Sequence, residues 1–66
     1  MTEFERGVFY AAYLICELHD EPTVAADVIR EAGLETSDIS VLDDCEREAL
    51  LPLNESEKLA LSVEAK

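Results

Sequence analysis

Two apolar stripes on one short helical segment constrain this chain more than any other feature of its sequence. Thr2-Glu3-Phe4-Glu5 has the form of a capping box. The Thr2 hydroxyl can accept from the Glu5 backbone N–H while the Glu5 carboxylate reaches back to the Thr2 N–H. The spacing predicts a helix from there to about Leu18. Phe4, Val8, Ala11, Ile15 and Leu18 recur at alternating steps of four and three residues, the mark of one helix face. Phe9, Ala12 and Cys16 form a second stripe, about 115° away at roughly 100° per residue. Leu14 widens the first stripe. Only Arg6, Tyr10, Tyr13 and Glu17 remain as a narrow strip for solvent. A surface helix has one apolar face. A helix with two belongs at the centre of a bundle or is shared between subunits. Self-association to a homodimer is therefore expected, with Phe4, Val8, Phe9 and Ile15 as contacts. Gly7, Ala11 and Ala12 leave a shallow patch on this helix where another backbone can approach.

The rest of the chain reads as shorter helices. His19-Asp20-Glu21-Pro22-Thr23 is a break, with Asp20 or Glu21 as cap and Pro22 suited to a first turn. The second helix is predicted from Pro22 to Ala32, burying Val24, Ala25, Val28, Ile29 and Ala32. Gly33 is its expected left-handed C-terminal residue, and Leu34 folds back beyond it. Ile39, Val41 and Leu42 are interrupted by Ser40, Asp43 and Asp44, which predicts a turn of helix or an irregular link. Asp43 or Asp44 can cap a helix over roughly residues 45–51, ended by Pro52. Asn54-Glu55-Ser56-Glu57 repeats the capping pattern. Residues 54–66 then form either a last helix or a frayed tail, although Leu59, Leu61 and Val63 also fit alternation. The expectation is an all-α bundle of three to four short helices over residues 1–53, with helix 1 central, followed by the capped segment 54–66.

Sixty-six residues make one domain at most, and a domain of this size buries only about 60% of its unfolded surface. Hydrophobic residues make up 48% of the chain, too many for a disordered acidic tail. Cys16 and Cys45 are the only cysteines. The acidic start lacks a basic n-region, and Gly7 to Cys16 is too short to span a bilayer. A cytoplasmic protein with two reduced, buried thiols is expected.

Several chemistries are disfavoured. Residues 27–42 have the outline of a helix-turn-helix, but its second helix would offer Ser37, Asp38, Ser40, Asp43 and Asp44. With no lysine or arginine there, direct nucleic-acid binding is not expected. Cys16, His19, Asp20 and Cys45 make a poor zinc set, because Cys45 has no spaced partner. The acidic run from Asp38 to Glu48 lacks the central glycine of a calcium loop. One histidine and no glycine-rich loop leave no nucleophile–base pair. No enzyme activity, metal or cofactor is expected.

The charge remains. Sixteen acids face five bases, a net charge of −11. Before Lys58 the only bases are Arg6, Arg30 and Arg47. Such a surface repels nucleic acid and anionic lipid and attracts basic proteins. Asp27, Glu31, Glu35, Asp38, Asp43 and Asp44 are candidate partner-binding residues, with Tyr10 and Tyr13 as a candidate aromatic contact. Phe4-Glu5, Gly7-Val8, Ala11-Ala12, His19-Asp20-Glu21-Pro22-Thr23, Ala26-Asp27-Val28-Ile29 and Ala32-Gly33-Leu34 together resemble short acidic proteins of temperate phages and prophages of enteric bacteria. That resemblance implies an accessory protein acting on host machinery. The expected function is a non-enzymatic accessory protein that binds and modulates a host protein with a basic surface, in the manner of a nucleic-acid mimic. The alternative is a small dimeric structural adaptor whose acidity only gives solubility.

Overall fold

The Thr2 capping box forms as its residues dictate. Glu5 N–H donates to Thr2 Oγ1 at 3.1 Å, and Thr2 N–H donates to Glu5 Oε1 at 2.9 Å. It opens α1, Glu3–His19, in a computed structural model that describes residues 1–63. Asp20 ends α1 in the left-handed region, φ 51°, returning its N–H to Cys16 O. There follow α2, Pro22–Glu31, α3, Asp44–Leu50, and the single turn α4, Leu53–Ser56. The architecture is an all-α bundle. Helices α2 and α3 each pack on α1 and not on one another, so α1 is central.

The end of α2 is the most legible feature of the chain. Gly33 has φ 74°. Its N–H donates to Arg30 O at 2.9 Å, and Leu34 N–H donates to Ile29 O at 3.0 Å. This is a Schellman motif with the expected hydrophobic return, since Leu34 is buried. Within α2 the buried face is Ala25, Ala26 and Ile29, with Val28 and Ala32 half-buried. Val24, expected inside, is exposed, and Ala26 is buried in the core instead.

One core joins all the elements. Phe9, Ala12, Ala25, Ala26, Ile29, Leu34, Ile39, Leu42, Leu50, Leu53, Leu59 and Leu61 form it. The second stripe of α1 therefore faces inward. Phe9 is fully buried among its own chain's residues, so it is unavailable as the intersubunit contact expected above. Val8 and Ile15 are half-buried against the same core, while Phe4 stays exposed.

The tail departs most from expectation. Asn54 is no helix cap: α4 already begins at Leu53. After Ser56 the chain turns through Glu57 and Lys58, the latter at φ 63°, and runs extended. Alternation wins here, with Leu59 and Leu61 buried and Val63 exposed. Ala60 N–H donates to Glu35 O, Ser62 N–H to Ser37 O and Ile39 N–H to Ser62 O, at 2.9, 3.0 and 2.8 Å. Asp38 and Ser62 thus form a parallel β-bridge. Residue 53 is consequently no boundary, because Leu59 and Leu61 complete the core. The remainder of the expected C-terminal segment, residues 64–66, lies outside the described residues.

Candidate protein-interaction surface

The three arginines divide into two staples and one free charge. Arg47, half-buried on α3, donates to Ser40 O at 3.0 Å, to Leu42 O and to the Asp44 carboxylate. It thereby organises the link between α2 and α3. Arg30 donates to Asp27 Oδ1 at 2.9 Å and to Glu57 O at 2.6 Å, and Thr23 Oγ1 donates to Glu57 Oε2 at 2.9 Å. Together they tie α2 to the chain beyond α4. Among the described residues, Arg6 makes no ion pair and no side-chain hydrogen bond.

The six candidate acids are not one patch. Asp27 and Glu31 stand on α2, Glu35 and Asp38 on the link, and Asp43 and Asp44 at the start of α3. Four of the six have internal roles. Asp27 pairs with Arg30 and Asp44 with Arg47. Asp43 is the N-cap of α3, with its N–H donating to Glu46 Oε1 at 3.2 Å. Asp38 Oδ1 accepts from Ser40 N–H at 2.8 Å. That bond, with a further one from the Ser40 side chain, lowers the Asp38 pKa from its ordinary value. Glu35 is half-buried, and its Oε1 is enclosed without a hydrogen-bond partner. Glu31 alone is exposed with no internal bond among the described residues. Acidic residues that cap and staple cannot be told by type from acidic residues that wait for a partner, and here most do the former.

The tyrosines fare better. Tyr10 is exposed and Tyr13 half-buried, with ring centroids 6.1 Å apart and planes inclined at 33°. Tyr13 also lines a shallow concavity of about 310 Å³ between α1 and α3, with Glu17, Cys45, Glu48 and Ala49. The Tyr13 hydroxyl is held above its ordinary pKa, first by loss of hydration and then by Cys45, Glu17, Tyr10 and Glu46. Glu17 and Glu48 are exposed and were missed as candidates: Glu17 lies one turn beyond Tyr13 on α1, but Glu48 comes beside the ring only through the folding of α3 against α1. Two carboxylates flanking an aromatic ring suit a lysine or arginine side chain, which gains both charge pairing and a cation–π contact.

The cysteines differ from one another. Cys16 is half-buried against the core, and burial first, then Glu17 and Asp20, pushes its thiol above the usual value. Cys45 is exposed at the rim of the concavity, contrary to the expectation of two buried thiols. It stands at the second position of α3, where the side chain projects outward. Among the described residues no group of three or more histidine, cysteine or acidic side chains is placed to hold a metal ion. No helix among them is long and apolar enough to cross a membrane.

Comparison with protein-family models, with curated proteins and with solved structures found no match to this chain.

Proposed function

We propose that this is a non-enzymatic interaction protein that binds a basic surface on a partner protein and modulates it, as a phage-type accessory protein would act on a host protein in the cytoplasm. The observation that supports this reading most is the disposition of charge. Arg30 and Arg47 are both spent on backbone carbonyls and local carboxylates, while of the described acids only Glu46 is buried. The outward field is therefore negative, and it steers a basic partner and slows an acidic one. The face with Tyr10, Tyr13, Glu17 and Glu48 is the best seat for that partner's basic side chains. A partner that itself grips nucleic acid through such side chains would have its groove occupied.

A second reading, a small dimeric adaptor whose charge only confers solubility, draws on a different observation: Phe4 and Leu18 remain exposed on α1. The two are separated by capture from a bacterial lysate on the immobilised protein, with elution by a salt gradient. The steering reading expects a partner released as salt rises, and not retained by a variant carrying Glu17→Lys, Glu31→Lys and Glu48→Lys. Retention by that variant, or release independent of salt, overturns it in favour of the adaptor.

A further inference from the structure

We infer that the outward stripe of α1 is the contact for a second copy of this chain, paired antiparallel about Ala11. The inference does not rest on the acidic-surface reading. Phe4 and Leu18 are 68% and 70% exposed, and they stand with the exposed Ala11 at seven-residue spacing. Gly7 and Leu14 occupy the intervening positions, and half-buried Val8 and Ile15 flank them. This is the a/d repeat of a helix seam, run over a helix of about 25 Å.

The occupant follows from charge. The stripe holds no charged residue, in a chain of which 32% is charged. A basic partner laid on it would lose hydration and find no carboxylate in return. An apolar helix face suits it, and a second copy supplies one of matching length. Gly7 gives that copy room: a Cβ built there meets nothing within 4 Å. A two-fold axis at Ala11 sets Phe4 against Leu18 of the second copy, Val8 against Leu14, and Gly7 against Ile15. Phe4 thus packs on Leu18 at each end, Ile15 seats over the space at Gly7, and the small Ala11 residues meet at the waist.

Charge also sets the direction. A parallel pair would bring Glu17, Asp20 and Glu21 of both copies side by side. The antiparallel pair holds those clusters a helix length apart, beyond the roughly 8 Å Debye length of physiological salt. It opposes the two helix dipoles. The seam is narrow beside the roughly 800 Å² per partner of a standard interface, so association in the range of about 10–100 μM is expected.

Sedimentation equilibrium from 10 to 500 μM, roughly bracketing that range, tests the pairing. A monomer–dimer equilibrium is expected that tightens severalfold as salt rises from about 0.05 to 0.5 M, because two acidic copies repel. Gly7→Leu should weaken association at least about tenfold while raising the melting temperature of dilute monomer, since leucine is the better helix former. Register is read by mixing Phe4→Cys and Leu18→Cys chains, each with Cys16→Ala and Cys45→Ser, under mild oxidation. Dominant mixed disulfides between the two variants support the antiparallel pair. Dominant like-with-like disulfides, a monomer throughout, or unchanged association of the Gly7→Leu variant overturns it.

Discussion

Asn54 grips the backbone of Leu61 from both sides. Its Oδ1 accepts from Leu61 N–H at 2.8 Å, and its Nδ2 donates to Leu61 O at 2.9 Å. One amide thereby satisfies both backbone groups of a buried residue seven positions on, as a neighbouring strand would. Asn54→Ala removes both bonds and leaves those groups part-buried and unpaired. A loss of about 2–4 kcal/mol is expected, from two bonds of ordinary worth and their desolvation. Asn54→Asp should not rescue, because a carboxylate cannot donate to Leu61 O. Denaturant midpoints of the two variants check this.

The contrast between what was legible and what was not follows from range. Thr2 with Glu5, and Gly33 with Leu34, are contacts within one helix end, and their residues specify them wherever the chain goes. Asn54 presents the same capping pattern locally, with Glu57 three residues on, yet it is taken by Leu61. No local rule could show that. Both stripes of α1 are apolar in sequence, and the one with Phe4 is the larger. In the fold the stripe with Phe9 and Ala12 turns inward, into one core with the small buried residues Ala25 and Ala26 of α2. The seat at Tyr13 was half visible: its aromatic lies on α1, but Glu48 arrives only through the fold of α3.

The division between the two stripes predicts unequal mutations. Phe9→Ala, at a fully buried site, should cost about 3–5 kcal/mol. Phe4→Ala should change the dilute monomer by less than about 0.5 kcal/mol. Thermal melts at low micromolar concentration distinguish them. Equal losses would mean that Phe4 is packed as deeply as Phe9, against the division of the stripes.

Arg47 predicts that charge alone is insufficient at its site. Arg47→Lys keeps the charge but cannot supply a planar fork to Ser40 O, Leu42 O and Asp44 together. A loss of about 1–3 kcal/mol is expected, close to that of Arg47→Met. Full stability of the lysine variant, measured by urea unfolding, would contradict the staple role.

The thiols predict a reactivity order and a pH trend. Iodoacetamide at about pH 8, near the ordinary thiol pKa, should alkylate exposed Cys45 well before Cys16, read by peptide mass mapping. The raised Cys16 pKa means that the folded state holds its proton at pH values where the unfolded state has lost it. Stability should therefore fall as pH rises above 9.0, the ordinary thiol value, toward the raised folded one. Cys16→Ala should flatten that fall. At the acid end the sign reverses: the lowered Asp38 pKa gives stability that is present above 3.8 and lost as pH falls below it.

The central claim is that the surplus of acid steers a basic partner to the face bearing Tyr13. The most direct measurement is the association rate of the captured partner with this protein as ionic strength rises from about 0.05 to 0.5 M. It is run beside the variant carrying Glu17→Lys, Glu31→Lys and Glu48→Lys. The account predicts a rate that falls at least about tenfold with salt, and a variant that associates slowly at every salt concentration. A rate indifferent to salt, equal in the two proteins, would contradict it.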